Sequence, residues 1–257
     1  MEYETEDGSH FYLQEIWEDD EGRPTVSCMT SVTALVDGKA YAGLIEKDMG
    51  SVEDEEVLSC LRLVPPQCIY PPFSERFTQA PTFDPDIHYL KTPSFTYADC
   101  KPGITFVADC FLREVVVLEQ LKANPHPNLV NYIGCIVRDG RIYQLCLQKY
   151  RCNLHEYIRM HDGDISKEEC YKILDGIESG LDHIHALGFA HNDINPYNIC
   201  IDKYGEAIIV DFDSCLPFGE ALKKGSGAYD CVDETSPISQ PENDLQQLDD
   251  IAEMLLG

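Results

Sequence analysis

Two short apolar runs, Ile199-Cys200-Ile201 and Ala207-Ile208-Ile209-Val210, are joined by the turn-forming stretch Lys203-Tyr204-Gly205-Glu206 and flanked by Asn198 and Asp211. Runs of this length around a glycine-containing turn predict a β-hairpin, and a hairpin brings its two ends back together. Asn198 and Asp211, thirteen positions apart, are therefore expected to meet. An amide oxygen beside a carboxylate suits a hard divalent cation such as Mg²⁺. Asp193 lies five residues before Asn198 in His191-Asn192-Asp193-Ile194-Asn195-Pro196-Tyr197-Asn198, free to meet a substrate hydroxyl. A metal pair next to a separate acid is the equipment of phosphoryl transfer.

The spacing resembles the H-R-D-x-x-x-x-N catalytic loop and D-F-G element of protein kinases, with His191, Asp193, Pro196, Asn198, Asp211 and Phe212 in register. The resemblance implies Asp193 as the catalytic residue that positions the hydroxyl, and Asn198 and Asp211 as ligands of Mg²⁺ bound with ATP. Upstream, Ile87-His88-Tyr89-Leu90-Lys91 reads as a strand ending in lysine, and Phe106 to Leu121 has helical spacing with Glu114 inside it. His126-Pro127-Asn128-Leu129-Val130 follows, then paired strands over Tyr132 to Val137 and Ile142 to Leu147 around Asp139-Gly140. This order resembles the smaller lobe of a protein kinase. By that resemblance Lys91 contacts the nucleotide phosphates, Glu114 is its partner, and Gln148-Lys149-Tyr150 is the inter-lobe hinge whose backbone binds an adenine edge.

The implied fold is α+β, a bilobal protein-kinase-like domain with a small N-terminal β-rich extension. A boundary is expected near 70, where Pro65-Pro66 and Pro71-Pro72 break the pattern. Residues 1–70 then form the extension, with strands over His10 to Trp17, Thr25 to Val36 and Ala40 to Ile45 and a helix over Val52 to Leu63. Residues 71–257 form the kinase-like domain, its smaller lobe over about 71–147 and a larger lobe over about 151–257. In the larger lobe Ser166-Lys167-Glu168-Glu169 predicts a capping box, followed by a helix with Ile173, Ile177, Leu181 and Ile184 on one face. His183 and His185 on that helix are expected to be packed or solvated rather than ligands. Gly225 to Tyr229 faintly resembles the family's G-T-x-x-Y, a helix opens at Glu242, and Asp244 stands where the family's bracing aspartate lies. With the chain ending at Gly257, the larger lobe is expected to lack three later helices.

The charge balance is 46 acids against 19 bases, a net −27, which argues against nucleic acid or an anionic membrane as partner. The twelve cysteines contain no C-x-x-C pair, which suits reduced thiols in a cytoplasmic or nuclear protein. The N-terminus lacks the features of a signal peptide, so an intracellular location is expected.

Four departures from the family pattern bear on function. No glycine occurs between Gly50 and Gly103, where a phosphate-covering G-x-G-x-x-G loop belongs. Tyr89 replaces an alanine that lies against adenine, Asn195 replaces the catalytic-loop lysine, and the larger lobe is expected to be truncated. Three functions stay open on these residues. One is an ATP-dependent kinase of protein Ser/Thr hydroxyls; another is a pseudokinase that binds a partner protein; the third is a small-molecule kinase resembling the aminoglycoside phosphotransferases.

Overall fold

The structure is a computed structural model that describes residues 2–4, 10–17, 28–36, 38–101, 103–222 and 237–257. Its first sheet holds β1 (Glu2–Glu4), β2 (His10–Trp17), β3 (Cys28–Val36), β4 (Lys39–Ile45) and β5 (Arg62–Leu63), antiparallel and in sequence order. Gly38, at φ +76°, makes the turn across which Val36 pairs with Lys39, because only a residue without Cβ takes that conformation freely. Thr25 to Ser27, the start of the expected second strand, lie outside the described residues. Helix α1 (Asp54–Cys60) is shorter than the expected Val52–Leu63, because Arg62 and Leu63 leave it to pair with Ala42 and Tyr41.

The chain on the two sides of residue 70 shares one apolar cluster. Ala40 and Ala42 of β4 and Cys68, Ile69 and Tyr70 in and after α2 (Pro66–Ile69) pack with Cys100 and with Val107 of α3 (Phe106–Ala123). The hydroxyl of Ser31 accepts from Tyr97 N at 2.9 Å and adds a polar tie. The N-terminal sheet thus leans on the helix that carries Glu114.

In α3, the buried Val107, Phe111, Val115, Leu118 and Leu121 recur every three or four residues and lay one face on a second sheet. That sheet has the order β6 (His88–Lys91), β8 (Arg141–Gln148), β7 (Tyr132–Arg138), all antiparallel. Residues 73–80 run along the outside of β7, where Cys135 N donates to Thr78 O at 2.7 Å and Ala80 N to Cys135 O at 2.9 Å. Gly134 permits this approach, since a Cβ there would stand 2.6 Å from Ala80 N.

The His126–Val130 segment joins the lobes. Asn128 Nδ2 donates to Ala207 O at 2.9 Å, Ile209 N to Asn128 O at 2.8 Å and Val130 N to Ile209 O at 2.9 Å. Below it, β9 (Cys152–Asn153) leads into α4 (Leu154–Met160), and α5 (Lys167–Ala186) follows. The expected stripe of α5 is buried, and each such aliphatic side chain contributes about 1.5–3 kcal/mol, so packing holds this helix more than propensity does. The capping box expected at its start is only half made. Ser166 accepts from Glu169 N at 3.3 Å, but the Glu169 carboxylate turns to the hydroxyl of Tyr157. His183 stacks on His126 with ring centroids 4.9 Å apart and faces Asn124 O at 2.8 Å, a packed histidine as expected.

After α5 come β10 (Phe189–Ala190), the hairpin of β11 (Ile199–Ile201) and β12 (Ala207–Ile209), β13 (Leu216–Pro217) and α6 (Pro241–Leu256). The largest cluster spans both lobes, with Leu118, Tyr132 and Phe212 in it and His191 set edge-on to Phe212 at 5.0 Å. The Gly225–Tyr229 resemblance falls outside the described residues. Among the described residues no helix is long and apolar enough to cross a membrane.

Candidate active site

Gly188, at φ +87°, ends α5, and the chain turns into the loop 191–198, which is pinned from below by α6. Asp244, fully buried, accepts from His191 N at 2.8 Å and Asn192 N at 2.6 Å, and its Oδ2 lies 2.8 Å from His185 Nε2. The bracing role expected for Asp244 is present in this geometry, and His185 proves to be part of it.

Asn192 is a centre of this loop that its position in the motif, where the family has arginine, could have signalled. It sits at φ +64°, a conformation asparagine tolerates better than most residues. Its Nδ2 is within hydrogen-bonding distance of Ala190 O, Ser214 O and Ser239 Oγ, and its Oδ1 accepts from Asn243 Nδ2 at 3.0 Å. Gln247 adds two bonds, accepting from Ile194 N at 2.8 Å and donating to Asn192 O at 3.2 Å. Neutral amides therefore tie the loop to the segment after Asp211 and to α6.

Within the loop, both carboxylate oxygens of Asp193 receive amide donors. Asn198 Nδ2 donates to Oδ2 at 2.7 Å and Asn195 Nδ2 to Oδ1 at 3.1 Å. The hairpin brings the chain at Asn198 beside the chain leading into Asp211. Ile199 pairs with Ile209, and Val210 N donates to Asn198 O at 2.9 Å, one residue before Asp211.

Lys91 enters from the other lobe. Its Nζ lies 2.6 Å from Glu114 Oε1 and 2.6 Å from Asp211 Oδ1, so one ammonium joins α3 to the hairpin. Burial alone would lower the Lys91 pKa, but Glu114, Asp211 and Asp213 outweigh it and hold the amine well above its usual range. Burial pushes Glu114 up to about 7, against the pull of Lys91. One cation facing several carboxylates leaves the most deeply buried acid the easiest to protonate.

A pH effect follows, with its sign fixed by that direction. Glu114 has a folded-state pKa of about 7 against an ordinary 4.5, so its stabilising contribution is full below the ordinary value and is lost as pH rises through 7. Glu114→Gln keeps an acceptor for Lys91 and removes the titration. The stability of wild type relative to Glu114→Gln should therefore fall between pH 5 and 8, by up to about 3 kcal/mol. Denaturant unfolding of both proteins across that range measures it; a pH-independent difference would contradict the assignment.

Lys91, Glu114, Asp211 and Asp213 line a cavity of about 510 Å³ that runs beneath residues 92–96 and along α3 past Phe111. Tyr89 shares the Lys91 face of β6, two residues along, and is 55% exposed. Gln148, Lys149 and Tyr150, where the hinge is expected, do not line this cavity. Gln148 N and Lys149 N are spent on Asn131 O and Ile87 O, each at 2.9 Å. Among the described residues Tyr150 N donates to no backbone carbonyl.

The oxygen donors fit a hard divalent cation. With Asp211 Oδ1 on Lys91, its Oδ2 remains, on a side chain 36% exposed; with Asn198 Nδ2 on Asp193, the Asn198 Oδ1 remains. Two protein oxygens suit Mg²⁺, which completes its shell with water and phosphate.

The family model described as protein kinase domain matches residues 100–233, more than half of the chain. The chain is 33% identical over 121 residues to the human serine/threonine-protein kinase/endoribonuclease IRE2, covering 43% of this chain and 13% of that protein. It is 32% identical over 103 residues to the Drosophila melanogaster serine/threonine-protein kinase Tao, covering 40% and 10%. With the mouse sperm motility kinase 2B it shares 27% identity over 141 residues, covering 52% and 27%. The matches thus span no more than about a quarter of these relatives' own lengths. With its α+β bilobal core and the loop, hairpin and lysine assembled as described, the chain belongs to the protein kinase family.

Proposed function

We propose that this protein is an ATP-dependent phosphotransferase acting on Ser/Thr hydroxyls of a protein substrate, with Mg²⁺. The observation that carries this reading is the Lys91 ammonium, 2.6 Å from both Glu114 and Asp211, in a chain whose loop bonds Asp193 to Asn198. Two of the relatives above are named serine/threonine-protein kinases, which supports that hydroxyl class. Lys91 binds nucleotide phosphate and Glu114 keeps its ammonium in place. Asp193 orients the substrate hydroxyl and accepts its proton. Asn198 and Asp211 hold the metal, which when bound neutralises phosphate charge. Gln148, Lys149 and Tyr150 form the hinge, with Tyr150 N as donor to the base. Residues 1–70 are an extension that braces α3, residues 71–257 are the catalytic unit, and the buried thiols Cys68, Cys135, Cys146, Cys152 and Cys170 suit a reducing cytoplasmic or nuclear setting.

Thermal unfolding tests this. ATP with Mg²⁺ at about a hundred times its Kd should stabilise the protein by about 2.7 kcal/mol, a rise of roughly 5–10 °C, and neither ATP nor Mg²⁺ alone should match it. Asp211→Ala should lose the Mg²⁺-dependent part. Unchanged Mg²⁺ dependence in that variant would remove Asp211 from the metal site.

A further inference from the structure

Asn195 occupies the place of the family's catalytic-loop lysine, and the structure commits both ends of its side chain inside the loop. Its Nδ2 donates to Asp193 Oδ1 at 3.1 Å and to Asp193 O at 3.2 Å. Its Oδ1 accepts from Tyr197 N at 2.9 Å, an Asx turn that fixes the amide's direction. Asn198 grips the opposite carboxylate oxygen at 2.7 Å. A carboxylate held at one oxygen can still swing about its last torsion, whereas one held at both cannot, and proton acceptance depends on that angle.

We infer that Asn195 is a positioning residue: it fixes the Asp193 carboxylate against the substrate hydroxyl and makes no contact with the transferring phosphoryl group. The kinetic consequence rests on the phosphotransfer function proposed above, while the geometric one does not.

Two variants separate the parts. Asn195→Ala removes the donor and the turn. Asn195→Asp keeps the acceptor for Tyr197 N but sets a carboxylate oxygen against Asp193. Loss of one such hydrogen bond should lower kcat by about five- to tenfold in Asn195→Ala. A larger fall is expected in Asn195→Asp, with KM for ATP and the calorimetric affinity for ATP with Mg²⁺ unchanged in both. A raised KM with unchanged kcat, or no effect in either variant, overturns the inference.

A second readout needs no turnover. In protein labelled with ¹⁵N-asparagine, the Asn195 side-chain amide signal, identified by its loss in Asn195→Ala, should move in Asp193→Ala. It should stay in place when ATP replaces ADP in the presence of Mg²⁺. The reverse pattern overturns the inference. If wild type transfers no phosphate, the phosphotransfer reading fails and this signal still decides where the amide points.

Discussion

Asp193→Asn should lower phosphate transfer by about 10²- to 10⁴-fold, the usual contribution of a positioned general base. The isosteric amide fills the same space but cannot take the hydroxyl proton. Because Asp193 is assigned to the hydroxyl and to neither the phosphates nor the metal, the affinity for ATP with Mg²⁺ should change little. Transfer of radiolabelled γ-phosphate to generic protein substrates and to the chain itself measures the first quantity, and calorimetry the second. A variant as fast as wild type would take Asp193 out of the chemistry. Equal, background-level transfer in both proteins, with nucleotide still bound, would instead describe a pseudokinase.

The largest effect on stability is expected at Asp244. Removing its carboxylate leaves His191 N, Asn192 N and the His185 ring without their acceptor in a place closed to water. Each unsatisfied buried donor costs about 1–3 kcal/mol, and three sharing one acceptor do not add fully, so Asp244→Ala should destabilise by about 3–5 kcal/mol. That is a large share of the roughly 5–15 kcal/mol that holds a domain together. Asp244→Asn, which retains one acceptor, should cost less. Urea unfolding of the two variants decides it, and a loss below about 1 kcal/mol for Asp244→Ala would mean that the loop holds itself.

The hairpin of β11 and β12 was legible because its information is local. Two apolar runs, a glycine turn and flanking polar residues fix Asn198 opposite Val210 whatever surrounds them. The stripe of α5 was legible for the same reason. What escaped are choices made by groups far away in sequence. Glu169 stands where its own helix cap would use it, yet Tyr157, twelve residues earlier, offers a hydroxyl and wins it. Asn192 bonds to partners up to 55 residues distant, and no periodicity encodes such a net. At Gln148 and Lys149 the backbone N–H groups go to Asn131 O and Ile87 O, partners that the local sequence does not signal. The end of α1 likewise yielded to a vacant edge on β4.

The double attachment of Lys91 also orders the events of folding. Its bond to Glu114 closes a sequence separation of 23 residues, and its bond to Asp211 one of 120. The entropy of closing a loop grows with its length and is lost before the contact returns anything. The first pair can therefore form as β6 and α3 assemble, while the second must await the docking of one lobe on the other. In a refolding experiment, competence to bind nucleotide is expected to lag behind secondary structure and to appear with the slowest phase, when the ammonium first reaches the hairpin.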